Sequence, residues 1–589
     1  MIVLIKKNIF FFLAFFNCLL LYQAQVLRQK NLFIQYLIKN VSLLNLLLFL
    51  TNREKFNPIK QEDFRRYIKL NSKKWNSIKF SNRNSNEIVL VESLLNHPAY
   101  PISNAIIGNY LKEIDGSKLI GLVKLNDLHN EVILRSFGIA KFIYLRPMSI
   151  FQNLYYTYKA LKILDSKNIQ QVIKLKFKGI DVGMSAYDSY IRYTGNPTLD
   201  KINFKFRFFF IESLYFIDFF YKTLKEHPNI KKMIQAEINF SPGNNLFQTF
   251  LKQGVKIYSK FGNDKITIRI YNKFSEKYLS RPKIPNILYN KIYNLVHKKL
   301  FNAMNKNITL NTQHLKKEVG FCLRVSSQKN LQIDRLPLVS KKEILNLFKW
   351  DKKKIGIIFF HHLTDINYHH GPRKVFKDNY NWGNFILENL NKNKKVNWIL
   401  KLHGAENYYK SNFNLTNKMS QLENKSSNIK IFPKEINPSS LVDIINFGIT
   451  SHGTAASEYP CFGINVFFSE NSDYSNLKLE NFINSKKKLL SLIKNIHKFK
   501  KISKKTIKKY KIYMFIRNKL FNNQLKLLTK YPISKDFDQR IFFNNCRKNL
   551  YNYRFYNDEA FLMFKKQIKY NLSHTINFKN HPVINNILK

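Results

Sequence analysis

The rhythm of apolar positions changes several times along this chain, and the changes mark out its organisation. Residues 9–22 (IFFFLAFFNCLLLY) form an apolar run of 14 positions behind Lys6 and Lys7, short of the roughly 20 that a membrane-spanning helix needs. No small-x-small cleavage pattern follows, and a second apolar stretch at 41–50 is shorter still. The pattern predicts N-terminal helices that pack on the protein or lie against a membrane. From Glu87 the texture changes. EIVLVES reads as a strand, AIIGNYLKEI as a helix and KLIGLV as a second strand, a βαβ rhythm that opens an α/β domain. VIKLKFKGIDVG, YDSYIRYTG and the run from IKKMIQAEINFSPG to VKIYSKFG continue it to Tyr271, after which an Asn-, Lys- and Pro-rich interval extends to Leu338.

A second α/β unit follows. KKIGIIFF, VNWILKLH, LVDIINFGITSHG and VFF recur at similar intervals between Lys353 and Phe468, as the strands of a parallel sheet covered on both faces do. Beyond Asn481, KKKLLSLIKNIHKFKKISKKTIKKYKIYMFI reads as one long amphipathic helical segment. The expected division is a helical extension over 1–80, a first α/β domain with its linker over 81–340, a second over 341–480 and a basic helical segment over 481–589. A length of 589 residues fits two cores better than one.

Composition narrows the function classes. With 45% hydrophobic and 23% charged residues the chain is not wholly disordered. Lys and Arg number 98 against 38 Asp and Glu, a net of +60, which invites nucleic-acid binding. The distribution argues otherwise. Residues 351–480 carry 16 basic and 12 acidic residues, whereas 481–589 carry 26 and 4, so the unit with the sharpest motifs is nearly balanced. The basic C-terminal segment suits an anionic membrane face at least as well as nucleic acid. Abundant Lys, Asn, Ile, Phe and Tyr together also fit A+T-rich codons drifting into tolerant surface positions. Cys18, Cys322, Cys461 and Cys546 form no C-x-x-C pair, which disfavours a zinc knuckle or a disulfide framework and fits a reducing compartment. All 18 glycines lie between Gly108 and Gly463, and the loops that keep them are candidates for close backbone approach to a ligand.

In a doubly wound parallel sheet the ligand crevice lies outside the strands' carboxyl ends. Three loops leave such ends here: one with His361, His362 and Asp365 running to Arg373, one with Lys401, His403 and Glu406, and one running Ser451-His452-Gly453-Thr454 to Glu458. The third is the most specific: its amides and hydroxyls at a helix start favour a diphosphate, and Glu458 one turn on is placed to accept from ribose hydroxyls. Pro460 implies that this helix is short or begins late. His361, His362, His369 and His370 with Asp365 invite a zinc reading, but they lack helical H-x-x-x-H spacing, and a phosphate-facing loop needs no metal.

These residues resemble a family of bacterial capsular and surface polysaccharide biosynthesis proteins, GT-B-like glycosyltransferases related more distantly to capsule Kdo transferases and to CDP-glycerol glycerophosphotransferases. The resemblance spans about Glu87 to Glu480. It is carried by FFHHLTDINYHHGPRKVFKDNYNW, VNWILKLHGAE and above all TSHGTAASEYPCFGINVFFSENSDYS, which is similar to the family's T-x-G-T-x-x-x-E-x-x-x-x-G-I-P-V box for the donor nucleotide. His403-Gly404 stands where the family has His-Pro, Asn465 where it has Pro, and Ala456-Ser457 where a Gly is frequent. The resemblance implies two Rossmann-like α/β domains facing across a cleft, with helical extensions at both ends. It implies transfer of a sugar from a nucleotide-sugar donor to a polysaccharide or lipid-linked glycan acceptor, at the inner face of the cytoplasmic membrane. Lys401, Glu406, Ser451, His452, Gly453, Thr454 and Glu458 would bind the donor. His403, His361, Asp365 and Asp188 are the candidates for the chemistry, with Asp181 a further candidate base. Lys401, His403 and the 451–454 amides would neutralise the phosphate charge without a metal or other cofactor. A glycerophosphotransferase and a non-catalytic, membrane-associated assembly factor remain as alternatives.

Overall fold

The computed structural model describes residues 62–577, apart from 82, 84, 126, 296–335, 405, 407–410, 478–480 and 530–536. Both N-terminal apolar runs lie outside the described residues. The chain is α/β, built on two separate sheets. The first contains β1 (Ile88–Ser93), β2 (Lys118–Lys124), β3 (Lys141–Leu145), β4 (Ile230–Gln235), β5 (Lys256–Phe261) and β6 (Lys265–Tyr271). The second contains β7 (Lys354–Phe359), β8 (Val396–Lys401), β9 (Ile429–Ile431), β10 (Phe447–Thr450) and β11 (Asn465–Phe468). The two-residue strand β12 (Asn523–Gln524) returns to the first sheet.

The first sheet runs β12-β6-β5-β4-β1-β2-β3, with β1 to β5 parallel, β6 antiparallel to β5 and β12 antiparallel to β6. The second runs β11-β10-β7-β8-β9 and is wholly parallel. Helices cover both faces of each, which is why the strands read as continuous apolar runs. In β7 the run is interrupted by Gly356, where a Cβ would come within 2.5 Å of the Phe447 ring and 2.7 Å of Trp398. The aromatic side chains of the two flanking strands fill the space that a side chain would need.

Two expectations for the intervening segments change. VIKLKFKGIDVG adds no strand to either sheet: it ends the helix Ile169–Ile173, makes a turn closed by Phe177 and Ile180 and begins the helix Val182–Thr194. The single long helix expected after Asn481 is broken into Lys486–Asn495 and Lys504–Phe515, and Ser503 caps the second by accepting from the Thr506 amide.

The last part of the chain leaves the second domain and packs on the first. The helix Gln539–Asn552 lies against Glu62–Asn76, and Glu559–Lys569 lies against Ala99–Asp115. Phe542, Phe543, Cys546, Leu550, Phe561 and Phe564 enter the core under the first sheet. The two domains are joined directly as well. Asp188 accepts from the Asn367 and Tyr368 amides at 3.0 and 2.9 Å, and Asp378 accepts from Tyr187 and Thr198 hydroxyls at 2.7 and 2.6 Å. Among the described residues, no helix is long and apolar enough to cross a membrane.

Candidate functional site

The strand order fixes where a ligand crevice opens. From β7 the second sheet is built outward on one side through β8 and β9, and on the other through β10 and β11. The switch point is therefore the gap beyond the carboxyl ends of β7 and β10. Two of the three loops singled out in the sequence begin there, with His361 after β7 and Ser451-His452 after β10. The first sheet has its own switch point between β1 and β4. The loop after β4 reaches the loop after β7: Asn239 Oδ1 and His369 Nδ1 are hydrogen bonded. The two crevices thus face one another.

Three histidines from the three loops converge. The rings of His361 and His452 stack with centroids 4.0 Å apart and planes 21° from parallel, and His403 lies 6.4 Å from His361 in a nearly parallel plane. His361 Nε2 accepts the His452 backbone N–H at 3.2 Å, which places the ring proton of neutral His361 on Nδ1. Thr450 donates to the Phe359 carbonyl, accepts from the Gly453 amide and sits 3.2 Å from His361 Nε2. Burial, followed by the charges of His403, Arg373 and His370, holds His361 well below the usual imidazole range. Burial and His361 do the same to His452. Both rings are neutral at neutral pH.

A second layer holds these loops in place. Ser451 Oγ accepts from Arg373 at 2.8 Å and lies 3.2 Å from His452 Nδ1. Arg373 also donates to Asn379 and the Phe376 carbonyl. The buried Glu470, just past β11, accepts from the amides of Lys374, Val375 and Phe376 and lies 3.7 Å from Arg373. Tyr474 donates to the Gly453 carbonyl at 2.7 Å. None of Arg373, Glu470 or Tyr474 was named as a site residue from the sequence; the signal for the last two was their place inside the SENSDYS end of the donor-box segment.

The other expected residues divide. Lys401 is buried at the end of β8, and its ammonium is pushed down to about 8 by burial, an effect that Glu458 opposes. Glu458 is 4% exposed, in a short helix Ala455–Glu458 that passes into a 3-10 turn at Pro460. It lies within electrostatic range of both Lys401 and Arg517. The amides of His452 and Gly453 already serve His361 and Thr450, and the half-buried Thr454 precedes the short helix. Glu406 faces His362 at 4.0 Å, and burial raises its carboxyl to about 7. Asp365 accepts from the Ile366 amide inside its own loop. Asp181 is buried, paired with Lys277 and accepting from Tyr278. Asp188 joins the domains, and burial raises it to about 7 against the pull of two amide hydrogen bonds. It lines a small cavity in the cleft together with Met184, Asn239, Lys277, Tyr278 and His369.

The acid that meets His369 and His370 is Asp473, not Asp365. Their ligand atoms lie within 4.8 Å of one another, a spacing that a metal could use. The surroundings favour an anion instead: Lys283, Arg373 and Arg517 all act on His370. Asp473 is already engaged, accepting from Ser280 with Arg517 at 3.9 Å, and its carboxyl is held at about 2.

No family model and no curated protein matches the chain. Its likenesses to solved structures are distant. A beta-Kdo 2,4-transferase, KpsC, from Thermosulfurimonas dismutans is 10% identical, covering 55% of this chain and 88% of its own, with a TM-score of 0.27. A glycosyltransferase from Rickettsia africae is 11% identical over 86% of this chain and all of its own, with a TM-score of 0.26. The wall teichoic acid polymerase TagF is 11% identical over 85% of this chain and 96% of its own, with a TM-score of 0.20.

Proposed function

We propose that the protein is a glycosyltransferase that moves a sugar from a nucleotide-sugar donor to a growing surface polysaccharide or glycolipid. The observation that carries this reading is the stacked pair of His361 and His452, set at the second sheet's switch point and facing the first sheet's switch point across the cleft. The donor nucleotide would lie along the loop after β10, near Lys401, with its phosphates toward Thr454 and the histidines.

Transfer breaks the bond between the anomeric carbon and the phosphate oxygen, and the phosphate gathers negative charge as the bond opens. Lys401 supplies a cation close to that point. His361 supplies a neutral ring whose Nδ1–H is able to donate. Nε2 is held as an acceptor by the His452 amide, so the ring meets the developing charge by donating from Nδ1 and takes up no further proton. On the opposite wall, Asp188 lines the cleft cavity, and a carboxyl near 7 suits removal of a proton from the acceptor hydroxyl. Asp365 is the alternative base from the second domain.

A thermal-shift panel of CDP-, CMP-, UDP- and GDP-sugars tests the proposal, because a ligand that binds only the folded state raises apparent stability. A selective rise with one nucleotide family is expected. The absence of any rise across the panel would count against donor binding.

A further inference from the structure

We propose that the outward face of the helix Ile150–Leu164 is a docking surface for an anionic lipid bilayer. The proposal deepens the functional reading above by giving a lipid-borne acceptor a place beside the cleft, and rests on that reading for this purpose alone.

This helix is apolar on both sides. Tyr156, Ala160, Leu161 and Leu164 are buried, on the side that packs against the helix Phe204–Glu226. The opposite side, which on a surface helix is ordinarily polar, carries Phe151, Tyr155 and Tyr158, exposed to 84%, 55% and 52%. Their spacings of four and three residues put them in one stripe, which the exposed Lys162 continues. Ile150, 53% exposed, widens it at the N-terminal end. Phe204, also exposed, borders the same surface across a groove lined by Thr157, Leu161 and Phe208.

Charge selects the occupant. From Arg146 to Leu164 there are three basic residues and no acidic one, and Lys201, Lys205 and Arg207 stand at the start of the neighbouring helix. Asp200 nearby is paired with Lys377. Lys159 Nζ lies 5.2 Å from the Tyr155 ring centre and is paired with Asp218 at 3.8 Å, so Arg146, Lys162 and the residues at the start of the neighbouring helix carry the charge of this face. Phenyl and phenol rings between lysines suit the boundary of headgroups and acyl chains: the rings enter, while the hydroxyls and ammonium groups stay with the phosphates. Location agrees. The helix follows β3, the edge strand of the first sheet, on the carboxyl-end side where the crevice opens.

The test is sedimentation of the full chain with vesicles of phosphatidylcholine alone and with 30% phosphatidylglycerol, at low and high salt. The variants are Phe151→Trp and the triple Phe151→Ser/Tyr155→Ser/Tyr158→Ser, each checked by circular dichroism. Binding at least tenfold tighter to the anionic vesicles is expected, and the triple variant should lose most of it. With Phe151→Trp, vesicles should shift the added emission to the blue, and brominated lipid should quench it beyond wild type. The native tryptophans give the baseline, and the readout is local even if another segment also holds the bilayer. Vesicle binding without added quenching at position 151, or no binding at all, overturns the proposal. So does a concentration-dependent dimer that the triple variant abolishes, since the face would then meet a second copy. Nucleotide affinity should be unchanged in the triple variant. Loss of nucleotide binding in the wild type would strike the functional reading and leave the docking result standing.

Discussion

His361 and His452 are bound twice, through a ring stack at 4.0 Å and through a hydrogen bond of 3.2 Å from the His452 amide to His361 Nε2. The hydrogen bond fixes the tautomer of one ring and the stack fixes the orientation of both, so the proton on His361 Nδ1 has one place to be. Under the proposed mechanism His361→Ala should lower turnover by about 10² to 10⁴, the usual worth of a positioned acid or base, with donor affinity changed far less. Steady-state kinetics distinguish this from a ground-state contact, which would raise KM and spare kcat.

Donor binding should be linked to protons through Lys401. Burial holds its ammonium at about 8 when the site is empty, and a bound phosphate raises it. Affinity should therefore increase as pH falls from the bound value toward about 8, and level off below it. Titration calorimetry in buffers of different ionisation enthalpy should show net proton uptake above about pH 8. Zero uptake there would remove Lys401 from the phosphate's surroundings.

Global stability should show two opposed titrations. His361 and His452 are held well below 6.5, and His370 at about 4. The unfolded chain protonates first at these rings, so their stability is present above about 6.5 and is lost as pH falls through the folded values. Glu92 and Asp188 have the opposite sign. Burial raises both to about 7, so the folded state takes their protons first and gains stability from about 7 down to about 4. The melting temperature should change little between pH 7 and about 4 and then drop steeply, once the carboxyl gain is complete and the loss from His361 and His452 continues. A steep fall beginning at pH 6.5 would contradict the raised carboxyls.

Glu470→Ala should destabilise the second domain by about 3 to 5 kcal/mol, the cost of leaving a buried charge such as Arg373 without its partner. Three backbone amides would also lose their acceptor. Urea denaturation measures this, and a change below 1 kcal/mol would mean that the loop is held by other contacts.

Asp188→Asn separates two roles for one carboxylate. If Asp188 takes the acceptor's proton, kcat should fall about a hundredfold or more while donor affinity holds. If it serves only to join the domains through Asn367 and Tyr368, donor and acceptor affinities should weaken together.

Much of the second domain was legible because strands covered on both faces announce themselves: KIGIIF and VNWILK are buried almost end to end. His361, His403 and His452 could be grouped because each follows a strand. Other features had no local signal. β9 is three residues long. Arg373 and Glu470 are 97 positions apart, and nothing along the chain pairs them. Glu458 carries the charge of a surface residue yet is buried, within electrostatic range of Lys401 and Arg517, which come from other elements. In the C-terminal segment the apolar stripe Phe542, Phe543, Cys546 and Leu550 follows the lysine-dense run 486–511, and the net charge of the whole segment hid its return to the first sheet.

The central claim is that the β7–β10 crevice binds a nucleotide-activated sugar. Calorimetric titration of the best nucleotide sugar from the panel into wild type, Lys401→Ala and His452→Ala tests this most directly. The account predicts one saturable site in the wild type and at least tenfold weaker binding in both variants, each still folded by circular dichroism. Wild-type affinity in both variants, or no saturable site in the wild type, would contradict it.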